Sequence, residues 1–123
     1  MAALTDKMDR SEAVKVISES LSKGTSSPFV GFPDRDEAVR EAGEALLSDV
    51  LEPFKVAVTA ASFPEYDFVE FSGSEVYAIA GNCKHTLLFS PTLGKFALGW
   101  GENPEAMTML GFASDDALAE WRG

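Results

Sequence analysis

The chain is long enough and apolar enough to fold around one hydrophobic core, since it has 123 residues, of which 46% are apolar and nine are Phe. A disordered acidic tail is excluded, because such a tail has too few apolar residues to offset the entropy lost on folding. Twenty Asp and Glu against ten Lys and Arg give a formal net charge of −10 at pH 7. This charge repels nucleic acid and anionic membranes and attracts basic partners, although acid also serves simply to keep proteins soluble.

The sequence indicates a cytosolic protein. No stretch approaches the roughly 18–20 uninterrupted apolar residues that a transmembrane helix needs. The first residues have neither the basic nor the apolar region of a secretory signal. The single cysteine, Cys83, excludes an internal disulfide and suits a reducing compartment. We expect one domain over residues 1–123, because no internal repeat or long linker divides the chain.

A first amphipathic helix is predicted over residues 10–23. Asp9 followed three residues later by Glu12 is typical of a capping box, and Gly24 is a natural terminator. The spacing of the apolar residues predicts that one stripe faces the core: Val14, Ile17 and Leu21.

A second helix is predicted over about residues 35–51. Pro33 and Asp34 mark its start, and Pro53 lies just beyond its end. Its buried stripe is expected to contain four residues: Val39, Ala42, Leu46 and Val50.

From residue 54 onward the pattern is that of strands. Five β-branched or aromatic runs are separated by turn signals: Lys55–Ala60, Tyr66–Phe71, Glu75–Ala80, His85–Ser90 and Lys95–Trp100. Their short spacings favour hairpins and therefore an antiparallel sheet, while Met107 and Met109 are expected to fill gaps in the core. A last helix, capped by Ser114, should bury Leu118 and Trp121. The predicted fold class is α+β, with two N-terminal helices, an antiparallel sheet of about five strands and one C-terminal helix.

Two acidic segments are candidate partner surfaces. The first lies in the second helix and contains four carboxylates: Asp36, Glu37, Glu41 and Glu44. The second interleaves carboxylates with aromatic residues and contains Glu65, Tyr66, Asp67 and Glu70. Carboxylates beside aromatic rings suit the docking of Arg or Lys by ion pairing and cation–π contact, and we expect the two segments to form one broad negative surface. Solvated faces are the alternative for both segments, and paired carboxylates for acid–base catalysis are a further alternative for the second.

Cys83 and His85 are the only cysteine and the only histidine, and they lie two positions apart at a predicted strand. A thiolate–imidazole pair is the core of cysteine hydrolases, and both residue types bind zinc. The sequence has no C-x-x-C motif and no second His, so no metal or other cofactor is predicted. A structural role beside the Gly81-Asn82 turn is the simpler interpretation.

The C-terminal half resembles the end of SUKH-type and related bacterial immunity domains. The resemblance is a pattern of residue types in three stretches: Glu75–Asn82, Thr86–Trp100 and Gly111–Leu118. In those domains a strand pair, a turn before a tryptophan-bearing strand and a phrase of the form F-x-S-x-x-x-x-L on the last helix follow one another. The domains neutralise toxins, many of them nucleases, that are delivered between competing bacteria. The resemblance therefore implies binding to a toxin, and it transfers no functional residue.

The leading hypothesis is an acidic protein-binding module that is not an enzyme: an immunity-type inhibitor of a toxin or another basic protein. Its carboxylates would take the place of nucleic-acid phosphates on a basic surface. The predicted partner is a basic protein, neither a nucleic acid nor a membrane. The alternatives are a small acidic secretion-type chaperone and a hydrolase that uses Cys83 and His85.

Overall fold

The structure is a computed structural model that describes residues 8–25, 31, 33–60, 66–81, 85–101 and 103–122, leaving aside the side chains of residues 60, 66–68 and 110–112. Four helices and six strands follow one another along the chain: α1 (Arg10–Ser22), α2 (Arg35–Ser48), β1 (Val50–Val56), β2 (Val58–Ala60), α3 (Tyr66–Ser72), β3 (Val76–Gly81), β4 (Thr86–Ser90), β5 (Lys95–Trp100), β6 (Met107–Ser114) and α4 (Ala117–Arg122). The predicted α+β class, with two N-terminal helices and a C-terminal helix, is confirmed. The six strands form one mixed sheet in the order β1-β3-β4-β5-β6-β2.

Helix α1 begins where the sequence predicts. The Asp9 carboxylate accepts a hydrogen bond from the Glu12 N–H at 2.9 Å, and Gly24 adopts a φ of +88° just after the helix. The buried side contains three residues: Ala13, Ile17 and Ser20. Val14 is 38% exposed, so its predicted place in the buried stripe is wrong. The small side chains of Ala13 and Ser20 face the core instead, while Val14 points towards solvent.

Helix α2 ends earlier than the apolar periodicity predicts. The Asp34 carboxylate caps it by accepting a hydrogen bond from the Glu37 N–H at 3.2 Å. Leu46 is fully buried, and Val39 and Ala42 are partly buried, in agreement with the predicted stripe. The chain leaves the helix after Ser48, so Val50 lies in strand β1 rather than on the helix.

The sheet curls because strands β1 and β2 are nearly continuous yet pair at opposite ends of it. Strand β1 pairs antiparallel with β3, and β2 pairs parallel with β6. Only Ala57 separates the two strands: its N–H donates to the Pro104 carbonyl at 2.8 Å and its own carbonyl accepts from the Met107 N–H at 2.9 Å. The predicted strand Lys55–Ala60 is thus divided, β6 is an additional strand, and the other strand pairs are antiparallel.

The inner face of the curled sheet is narrow and is filled by one apolar cluster. Its members come from five strands and from α3: Val56, Phe71, Val76, Ala78, Leu88, Ala97, Met107 and Met109. Segment Tyr66–Phe71, predicted as a strand, lies in helix α3, which inserts the fully buried Phe71 into this cluster. Gly99 also lies on the inner side, where a Cβ atom would approach Leu88 Cδ1 to 2.7 Å.

The outer face of the sheet carries the larger cluster and is covered by the remaining helices. Helix α1 packs over β1 and α4 packs over β4 and β5, while α2 packs on α1 and α4. On this face the rings of Phe89 and Phe96 lie 4.7 Å apart. Leu118 and Trp121 of α4 are buried as predicted. The cap of α4 is Asp116, whose Oδ1 accepts from the Ala119 N–H at 3.0 Å, whereas Ser114 belongs to the end of β6.

The buried hydroxyl of Ser20 joins α1 to the start of α4. Its Oγ donates to the Asp115 carbonyl at 2.6 Å and accepts from the Ala117 N–H at 2.8 Å. These bonds give partners to a backbone carbonyl and a backbone N–H at the start of α4. Leaving such groups without a hydrogen bond would lower the stability of the fold.

We expect Ser20→Ala to lower the free energy of unfolding by about 1–3 kcal/mol, because the buried Ala117 N–H and the part-buried Asp115 carbonyl lose their partner. Ser22→Ala is the matched control: its exposed hydroxyl bonds only to the Glu19 carbonyl within the helix, and the change should stay within about 0.5 kcal/mol. Urea unfolding followed by circular dichroism measures both. Equal losses in the two variants would contradict the bridging role of Ser20.

We expect Gly99→Ala to destabilise the protein by about 1–3 kcal/mol through overpacking against Leu88. In a Leu88→Ala background the new methyl group has room, so most of this penalty should disappear. Urea unfolding of the two single variants and the double variant measures the coupling. A penalty of the same size in both backgrounds would show that Leu88 is not its cause.

Candidate partner-binding face

One side of helix α2 is acidic and open to solvent. We call the side formed by Asp36, Glu37, Glu41 and Glu44 the acidic face of α2. All four residues are exposed. Ala38 and Leu46 are buried on the other side of the helix, which fixes the direction in which the acidic face points. The sequence prediction for this segment therefore corresponds to one continuous side of a single capped helix.

Arg40 is the cation within the acidic face. Its guanidinium lies 3.2 Å from the Glu44 carboxylate and 3.8 Å from the Glu37 carboxylate. The three side chains are 57–65% exposed, so these ion pairs add only a few tenths of a kcal/mol to the helix. The face remains negative, because four carboxylates surround one guanidinium.

A groove runs beside the acidic face, between the end of α1 and α2, and we call it the α1/α2 groove. It has a volume of about 350 Å³ and is lined by apolar and charged residues: Leu21, Asp36, Val39, Arg40, Gly43, Glu44 and Leu47. Leu21, Val39 and Leu47 are partly buried and pack against the outer core. The groove is therefore apolar where it meets the core and charged along its rim.

A shallower groove of about 260 Å³ lies on the other side of the acidic face and is lined by Pro33, Asp34, Glu37, Ala38 and Glu41. The four carboxylates of the acidic face are thus divided between two grooves: Asp36 and Glu44 border the α1/α2 groove, and Glu37 and Glu41 border the second one. A protein surface that covers the face can contact α2 from both sides.

The second predicted segment lies partly outside the described residues. Glu65 lies outside the described residues, and for Tyr66 and Asp67 the structure describes only that they belong to α3. Glu70 is exposed, and its Oε1 lies 3.7 Å from Lys95 Nζ on β5. This ion pair gives Glu70 a contact within the fold, tying α3 to the sheet.

The two acidic segments lie on helices that contact different parts of the fold. Helix α2 packs on α1 and α4, outside the outer face of the sheet, whereas α3 inserts Phe71 into the inner cluster. The single broad negative surface stays a prediction, because Glu65 and the side chains of Tyr66 and Asp67 lie outside the described part of the chain. Within the described part, the acidic face of α2 brings four of the predicted residues together.

His85 is half-buried and packs against α4. Its ring centroid lies 4.3 Å from that of Trp121, with the ring planes tilted by 59°. Cys83 lies outside the described residues. Among the residues that the structure does describe, no group of three or more His, Cys, Asp and Glu is placed to hold a metal ion.

No known protein family, curated protein or solved structure was found to match the chain. In the described part of the chain, no helix has the length and apolar character that crossing a membrane requires. The candidate site is therefore defined by its own geometry.

Sequence analysis missed the residues that form the α1/α2 groove. Leu21 and Val39 were assigned to buried stripes, and Gly43 was not singled out. A glycine in the interior of a predicted helix is the signal that was available, because it lowers helix stability by about 1 kcal/mol relative to Ala.

We expect Glu70→Gln to lower the free energy of unfolding by about 0.2–1 kcal/mol, because it breaks a partly exposed ion pair between α3 and β5. Glu41→Gln serves as the control, since Glu41 is an exposed acid on α2, and it should change stability by less than about 0.5 kcal/mol. A double-mutant cycle of Glu70→Gln with Lys95→Met, measured by urea unfolding, isolates the pair. A coupling energy of zero would mean that Glu70 does not anchor α3.

Proposed function

We propose that the protein is a cytosolic protein-binding module that acts as an immunity-type inhibitor, and that it binds a toxin or another basic protein through the acidic face of α2. The observation that carries this proposal is the grouping of four exposed carboxylates on one capped helix, with an apolar groove on the same side. Charge supplies attraction and orientation, and the groove supplies apolar surface that a partner can bury.

The spacing of the carboxylates suits a row of basic side chains. Glu37 and Glu41 are one helical turn apart, about 6 Å along the axis, and Asp36 and Glu44 are two turns apart, about 12 Å. A rigid helix holds these distances fixed, so Lys and Arg side chains at similar spacing can pair with them together. A basic surface that binds phosphates has cations at such spacings, and covering it with carboxylates would block access to nucleic acid.

The other ion-paired acids of the described chain join separate parts of the fold, whereas those of the acidic face do not. Glu70 of α3 pairs with Lys95 of β5, and Glu75, just before β3, pairs with Lys55 of β1 at 3.2 Å. On α2 the ion pairs join residues of one helix only. A partner cation that takes over a carboxylate of α2 therefore breaks no ion pair between separate parts of the fold.

The test is a comparison of two variants with equal net charge. The first carries Asp36→Asn, Glu37→Gln, Glu41→Gln and Glu44→Gln; the second carries Glu12→Gln, Glu19→Gln, Glu52→Gln and Glu105→Gln at exposed positions elsewhere. Each removes four of the negative charges. The wild type and both variants are immobilised and incubated with lysate of the source organism, then eluted with rising salt. We expect one basic protein to be retained by the wild type and the control, and lost from the α2 variant.

The retained protein is then purified, and its own activity is assayed with increasing wild-type protein. Inhibition that is complete at a 1:1 ratio, and is weakened at least tenfold in the α2 variant, is the expected result; a tenfold change corresponds to about 1.4 kcal/mol. Equal retention by the two variants would refute binding through α2. Binding without loss of the partner's activity would refute inhibition while leaving the binding face intact.

A further inference from the structure

The apolar part of the α1/α2 groove lies where α1 and α2 approach each other closely. Gly43 stands in the interior of α2 and is buried. A Cβ atom at this position would lie 3.2 Å from Leu21 Cδ1, tight enough that Leu21 would have to give way by a few tenths of an ångström. Glycine is unfavourable in a helix interior, and here it allows Leu21 to pack directly against α2. Leu21 is thereby held beside Val39 and Leu47 in the lining of the groove.

The rim of the groove has two carboxylates and one guanidinium around its apolar side chains. Asp36 and Glu44 lie two turns apart, one on each side of Val39 along the helix. Arg40 lies between them, with its guanidinium drawn to Glu44 at 3.2 Å. The groove therefore presents apolar side chains between two carboxylates.

The length and volume of the α1/α2 groove indicate which kind of partner segment can bind in it. The lining residues 36–47 span about 16 Å along α2, which is about three turns of a helix lying alongside it. A volume of about 350 Å³ is at the small end of the range for sites that enclose a drug-sized ligand. It suits the insertion of single side chains, as when an amphipathic helix lies in an apolar groove.

We propose that the α1/α2 groove receives one large apolar side chain of an amphipathic helix in the basic partner, and that Lys or Arg residues flanking this anchor pair with Asp36 and Glu44. The inference rests on the proposed function and adds to it the chemistry of the partner segment. The basic residues orient the partner, and the apolar anchor provides the desolvated contact that holds it.

The probes are three synthetic amidated peptides that share one helical design. The first has Lys on one face and Leu on the other, the second has Ala in place of every Leu, and the third has Glu in place of every Lys. Each peptide is titrated into the full-length protein labelled on methyl groups, and the methyl resonances of Leu21, Val39 and Leu47 are followed. We expect the Lys/Leu peptide to bind about tenfold more tightly than the Lys/Ala peptide, as burial of a large apolar side chain predicts. The methyl resonances of the groove should move only with the Lys/Leu peptide.

Two variants separate the apolar anchor from the charges. Gly43→Ala forces Leu21 to shift and so reshapes the groove; it should lower the ratio of the Lys/Leu affinity to the Lys/Ala affinity. The pair Asp36→Asn and Glu44→Gln should weaken both Lys peptides and keep the preference.

Three results would overturn the inference, and they bear differently on the proposed function. If the wild type bound the two Lys peptides equally and did not bind the Glu/Leu peptide, the apolar anchor would be refuted. A purely electrostatic binding face would then remain. If the resonances that shifted belonged to methyl groups outside the groove, the apolar side chain of the peptide would bind elsewhere on the protein. Failure of both Lys peptides to bind more tightly than the Glu/Leu peptide would overturn the inference together with the charge-based binding from which it starts.

Discussion

The constraint on which the rest of the structure depends is that one short segment, Val50–Ala60, pairs with both ends of the same sheet. Strand β1 pairs with β3 and strand β2 pairs with β6, with only Ala57 between them. A six-stranded sheet meets that requirement only if it curls until its two ends meet, in the sense that its natural twist already favours. The curl then separates the apolar residues of the strands into an inner and an outer cluster.

The two clusters determine where each helix lies. The inner face is narrow, so small residues line part of it at Ala78, Ala97 and Gly99. Phe71 of the short helix α3 packs there with the larger side chains of the strands. The outer face carries large side chains and needs a broad cover, which α1 and α4 supply directly. Helix α2 packs mainly on these two helices, so a wide side of it faces solvent. The position of the acidic face therefore follows from the curl of the sheet.

The sequence predicts the elements whose signals are local and misses those that depend on distant pairing. Asp9 and Asp34 mark helix starts because capping involves residues three positions apart, and both caps are present. Segment Tyr66–Phe71 has the composition of a strand, but it forms a helix, and this helix places Phe71 in the inner cluster. Strand β6 pairs with β5, its neighbour in the chain, and also with the distant strand β2, a parallel pairing that no local pattern indicates. The same holds for the site: the acids of α2 are predictable from their spacing, whereas the groove beside them depends on how Leu21 of α1 meets Gly43 of α2.

Solubility alone does not account for the composition of α2. Acids in the first turn, Asp36 and Glu37, favour the helix through its dipole, but Glu41 and Glu44 lie beyond that turn, and the last turn has no basic residue. Gly43 is unfavourable in a helix interior, and the close approach of Leu21 accounts for it. Glu44 pairs with Arg40 one turn away, so it stabilises the helix slightly. Carboxylates placed for solubility serve equally well anywhere on the surface, whereas four of them lie together on α2 along two grooves. It is this grouping of the acids, rather than the presence of any one of them, that the proposed binding function accounts for.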